Sequence, residues 1–121
     1  MTPSEAAATE KEVRLTTRGR KSGKPHTVTV WISTDGNRLF IRSGQGMKRD
    51  WPRNLEANPA ATLKLGGQTI KVRARHLTEA AEVRAVAGYA SAKYGSYIKP
   101  SQPDEPLTPG EQATFELIPS A

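Results

Sequence analysis

The sequence contains no cysteine, so disulfide staples, thiolate nucleophiles and cysteine-ligated zinc are all excluded. Histidine is nearly as scarce: with only His26 and His76, no histidine-rich metal site is expected, and none is assigned. Aromatic residues number seven among 121, and no RNP-like strand, helix-turn-helix or zinc-finger spacing goes with them. Nucleic acid therefore ranks below a small anionic ligand as a partner. Nowhere do 18 apolar residues run together, and the opening MTPSEAAATE has neither the basic start nor the apolar core of a signal peptide. The expectation is a cytoplasmic protein with no membrane partner. Catalytic machinery is also missing: there is no GxSxG, and no paired carboxylates lie near a histidine. Any chemistry must come from a bound cofactor, with the protein supplying orientation, desolvation and charge.

What the chain does have is clustered positive charge. The net charge is +6 and the pI about 9.9. Arg18, Arg20, Lys21 and Lys24 fall within seven residues, and Arg42, Lys48, Arg49 and Arg53 within twelve. These 19 positions hold eight of 18 cationic side chains, where an even spread would place about three. An anionic partner is implied.

The second cluster lies in RSGQGMKRDWPRNLEANP, residues 42 to 59, the stretch around which the chain is read as organised. Ser43, Gly44 and Gly46 permit close backbone approach, so successive N–H groups could converge on an anion beside Lys48, Arg49 and Arg53. Asp50 reads as the N-cap of a short helix, with Pro52 in its first turn and Asn58-Pro59 as its stop.

Around this motif the periodicity is that of strands. Lys11 to Thr17, Pro25 to Ser33 and Arg38 to Arg42 alternate apolar and polar residues, joined by the turn RGRKSGK and the hairpin signal Thr34-Asp35-Gly36-Asn37. Ala61 to Leu65 and Gln68 to Leu77 form a second hairpin across Gly66-Gly67. Thr78 reads as the cap of a helix from about Glu79 to Tyr94, with Val83, Val86, Ala87, Ala90 and Tyr94 on its buried face and Lys93 on its solvated one. Ser96 to Gly110, with four prolines, reads as an extended loop before a last strand, Gln112 to Ile118. The fold class expected is mainly β (α+β): a six-stranded antiparallel split β-barrel with two helices, spanning 11–121 as a single domain behind a flexible segment 1–10. With 36% hydrophobic residues, core material is modest, and a homodimer that buries Trp31 and Trp51 is expected.

At RGRKSGKP, VWISTDGNRLFIRS and WPRNLEANPAATLKLGG the sequence resembles the deazaflavin-dependent nitroreductase family of split-barrel, FMN-binding-protein-like oxidoreductases. The match runs from about Val13 to Thr78; its most specific elements are Gly19 to Gly23 and Asn54 to Pro59. The second half, AGYASAKYGSY followed by QATFELIP, looks like a related, uncharacterised bacterial domain family. The resemblance implies a cofactor of the deazaflavin type, coenzyme F-420, with FMN as the alternative. It also implies hydride transfer to a small electrophilic substrate such as a nitro compound, quinone or enone. Carried over residue by residue, Ser43, Gly44, Gln45, Gly46, Met47, Lys48 and Arg49 form the phosphate loop, Lys21 and Lys24 are outer cations, and Trp51 and Asn54 close one side. The chain departs from the family at residues 44–47, where Gly-Gln-Gly-Met stands in place of the common Lys-Gly-Gly-Ala-Pro. No catalytic residue is assigned; Tyr94, Tyr97 and His26 are the candidate proton donors, each with a structural role as the plainer reading. The second reading is a non-catalytic barrel that binds an anionic ligand, nucleic acid or a protein through the same basic face.

Overall fold

The computed structural model describes residues 2–120. Seven antiparallel strands form one curled sheet: β1 Val13–Arg18, β2 Pro25–Val30, β3 Ile32–Thr34, β4 Leu39–Arg42, β5 Ala60–Leu65, β6 Gln68–Leu77 and β7 Thr114–Pro119. Their order is β2-β1-β5-β6-β7-β4-β3. Four α-helices accompany them: α1 Pro3–Thr9, α2 Asp50–Ala57, α3 Ala80–Tyr94 and α4 Pro109–Gln112. The split-barrel architecture is as expected, with seven strands in place of six and four helices in place of two.

The extra strand has a geometric origin. Pro25 to Ser33 reads as one strand, but β2 pairs only with β1 and β3 only with β4, and these are the two edges of the sheet. The chain crosses from one edge to the other at Trp31, where the ladder breaks. There the backbone of Ile32 turns to a side chain: its N–H donates to Tyr94 Oη at 3.0 Å, and its carbonyl lies 3.0 Å from the same oxygen.

Alternation works as the sequence implies. Leu15, Leu63, Leu65, Val72, Phe115 and Leu117 point into one apolar core, while Arg14, Lys64, Lys71 and Arg73 stay exposed. Strand β4 is the exception. Leu39 and Ile41 enter the barrel core, whereas Phe40 on the other face packs with Leu77, Val83 and Val86 under α3. Burial on both faces explains the unbroken apolar run Leu39-Phe40-Ile41.

Three local expectations are corrected. Segment 1–10, expected to be flexible, carries α1, which a capping box between Thr2 and Glu5 starts and whose Ala6 and Ala7 are buried. Asp50 is the first helical residue of α2, and Arg49 occupies the cap position without a side-chain bond. Glu79, not Thr78, caps α3, accepting from the Ala81 and Glu82 amides at 3.1 and 2.9 Å. A carboxylate reaches two amide donors where a hydroxyl reaches one, and its charge suits the positive end of the helix.

Candidate functional site

Residue 31 is both the seam of the barrel and part of the wall of a cavity of about 630 Å³. Among its lining residues Trp31, Tyr94 and Tyr97 form an aromatic cluster. The Trp31 and Tyr94 rings stack with centroids 4.2 Å apart and planes 12° from parallel, and Tyr97 meets the indole edge-on at 5.9 Å. The same cavity is lined by Arg42, Ser43, Gly44, Gln45, Arg49 and Trp51. One space thus offers a flat apolar wall for a planar ring and a cationic wall for an anion.

A second cleft, about 570 Å³, lies between the basic turn and α2 and shares Trp51 with the first. It is held open by one buried amide. Asn54 Oδ1 accepts from the Arg20 backbone N–H at 3.2 Å and from Arg20 Nη1 at 3.0 Å, while its Nδ2 donates to Thr17 Oγ1 at 3.4 Å. Arg20 Nη2 reaches Asp50 at 3.4 Å on the other side. These bonds pin the turn Gly19 to Lys24 to α2 and place Lys21, Ser22 and His26 along the cleft wall.

Of the residues named from sequence, Ser43, Gly44, Gln45, Arg49 and Trp51 line the first cavity, and Lys21, Trp51 and Asn54 the second. Lys24, Gly46, Met47 and Lys48 line neither. Met47 packs against the barrel core. Gly46 is required for another reason than anion approach. At φ 73° it carries the turn, a Cβ there would meet Pro109 at 3.1 Å, and its N–H already donates to Ser43 O at 2.8 Å. Since the Ser43 N–H also turns inward, to Ala113 O at 3.0 Å, Gly44 and Gln45 carry what remains of the expected amide cradle.

Arg42 and the aromatic cluster join the site only through the tertiary structure. Arg42 was visible only as one member of a charge run, because nothing local shows that its strand ends at a cavity. Tyr94 was placed in the helix core, and its hydroxyl is indeed engaged structurally, donating within reach of Lys11 O at 2.7 Å as well as Ile32 O. Burial pushes its phenol above the ordinary tyrosine value, against the hydrogen bond from the Ile32 backbone.

The curled antiparallel sheet and its helices define a split-barrel protein. The chain belongs to the F420H(2)-dependent quinone reductase family, whose model matches residues 5–107. With that family go the deazaflavin coenzyme F-420 and oxidoreductase chemistry. Among solved structures, an F420-H2-dependent reductase, FDR-A, is 24% identical with a TM-score of 0.68, over 89% of this chain and 94% of that one. A protein solved as a domain-swapped dimer is 22% identical at a TM-score of 0.68, over 89% and 80%. The haem storage protein HutZ of Vibrio cholerae is 20% identical at 0.69, over 97% and 87%. At these identities the likeness is one of fold, and the fold serves more than one chemistry.

Proposed function

We propose that the protein uses reduced coenzyme F-420, held in the Trp31–Arg42 cavity, to reduce a small electrophilic substrate, a quinone foremost and nitro compounds or enones by the same chemistry. The observation that carries this reading is that one cavity is lined by both an aromatic cluster and cationic side chains. The residues fit such a coenzyme: a planar ring meets the aromatic cluster at Trp31, the anionic portion meets Arg42, Arg49, Gly44 and Gln45, and the adjoining cleft with Lys21 continues the cationic path for a longer anionic tail.

When bound, the reduced deazaflavin supplies a hydride. The chain's own part is orientation and proton handling. The Trp31–Tyr94 stack presents a fixed ring surface, because Tyr94 is tied at its hydroxyl to the barrel seam. That same engagement removes Tyr94 from proton transfer. His26 lies in the other cleft. Tyr97 remains: 83% exposed at the cavity rim, its Oη hydrogen-bonds to no described residue and can give a proton to a reduced oxygen. A homodimer is proposed on the exposed Tyr97 and the half-buried Trp31, in keeping with the domain-swapped neighbour.

Anaerobic titration of the purified protein with reduced F-420, followed by addition of a soluble benzoquinone, tests the function. Binding with quinone-dependent reoxidation of the coenzyme is expected; binding without turnover would favour a carrier. Light scattering at micromolar concentration checks the dimer.

A further inference from the structure

Arg42 ends β4, half-buried, on the wall of the larger cavity. Its side chain makes no hydrogen bond or ion pair with any described residue, and Nη1 is shielded from solvent with no partner. A buried donor left unpaired costs free energy that an acceptor would recover. The nearest opposite charge is no such acceptor. Glu111 influences Arg42 through space, but its carboxylate is engaged by the backbone N–H groups of Ser101 at 3.1 Å and Thr108 at 2.9 Å.

The pose is also enforced. The Nε–Nη2 edge of the guanidinium lies against Gly110, where an added Cβ would collide with Nη2 and come within 2.6 Å of Cζ and 2.7 Å of Nε. Gly110 has no positive φ to account for glycine there. Its lack of a side chain leaves the space Arg42 occupies. Ser43, Gly44 and Gln45 follow directly in sequence and line the same cavity, as does the exposed Arg49. The arrangement is a rigid planar cation beside a short stretch of backbone, with a second cation in solvent that can close on whatever binds.

We propose that Arg42, held in place by Gly110, is the anchor for the phosphodiester of the bound coenzyme, ahead of Lys48 and the glycine-loop amides. The proposal rests on the cofactor reading of the cavity. A guanidinium matches two phosphate oxygens at once, which an ammonium cannot do.

The test is fluorescence titration of three probes against parent, Arg42→Gln, Arg42→Lys and Gly110→Ala, each checked for folding by circular dichroism. The probes are whole F-420, its phosphate-free deazaflavin core, and FMN, which has a phosphate and no tail. Expected for Arg42→Gln is a tenfold or greater loss for F-420 and FMN with less than a twofold change for the core. Arg42→Lys should recover part of the loss, and Gly110→Ala should reproduce part of it with the charge intact. Equal losses for all three probes, no loss for any, or a loss confined to whole F-420 would overturn the phosphate role. If the parent binds none of the probes, the cofactor reading of the cavity fails and this proposal with it. If Arg42→Gln does not fold, Arg42→Lys and Gly110→Ala decide alone: unchanged affinity in both overturns the proposal.

Discussion

Lys93 Nζ sits at the C-terminal end of α1 and donates to Glu10 O at 2.5 Å, with Ala7 O at 2.6 Å and Ile32 O at 2.7 Å sharing the same ammonium. One side chain thus joins α1, α3 and the seam where β2 becomes β3. Taken from periodicity alone, Lys93 belongs to the solvated face of its helix; the structure makes it a latch.

Removing the latch should be felt. Lys93→Ala is expected to cost about 2 kcal/mol, since hydrogen bonds from a charged donor are worth ~1.5–3 kcal/mol and only part of the site refills with water. Thermal melts give the loss. Hydrogen exchange in residues 4–9 should accelerate more than in β6, and equal acceleration in both would argue against a local latch.

Tyr94→Phe keeps the ring that stacks on Trp31 but removes the hydroxyl that satisfies Ile32 and Lys11. The cost should be about 1–2 kcal/mol, with the Ile32 N–H left short of its partner. Chemical denaturation measures it. Unchanged stability would mean that water replaces the hydroxyl at the seam.

Glu111 is fully buried. Burial pushes its carboxyl up, but the donors of Ser101 and Thr108 hold it below the ordinary value of 4.5. A carboxyl whose folded pKa is depressed contributes stability above its unfolded pKa and loses it as pH falls through the folded one. The parent should therefore lose stability below about pH 4.5. Glu111→Gln should be weaker at neutral pH and should show a flatter acid limb. Melting temperature against pH in both proteins decides this, and parallel curves would place the acid sensitivity elsewhere.

Charge reversal separates the two cations that the sequence groups together. Arg49 lines the cavity, whereas Lys48 lines neither cleft. Arg49→Glu should weaken F-420 binding by more than tenfold at low salt and less at high salt, because an exposed contact is screened. Lys48→Glu should change it by less than about threefold, as expected of an exposed charge outside the cleft. Titration at two ionic strengths shows the difference, and equal losses would place Lys48 on the ligand.

Much of the barrel was legible because alternation reports burial strand by strand. Gln68 to Leu77 is β6 to the residue, and Val83, Val86, Ala87 and Ala90 are the buried face of α3. The turn at Gly19 to Gly23 and the run Asn54 to Pro59 were legible as a pair through family likeness. Their reason for belonging together is tertiary: Asn54 Oδ1 accepts from Arg20 across 34 residues. Local pattern determined which residues face inward. It could not show that Trp31 is a seam, since its neighbours alternate correctly on both sides and only closure of the sheet demands the break. Nor could it separate Arg42 from Lys48, two cations in one run, because whether a charge is solvated or held bare against a cavity wall depends on what the rest of the chain, here Gly110, brings beside it.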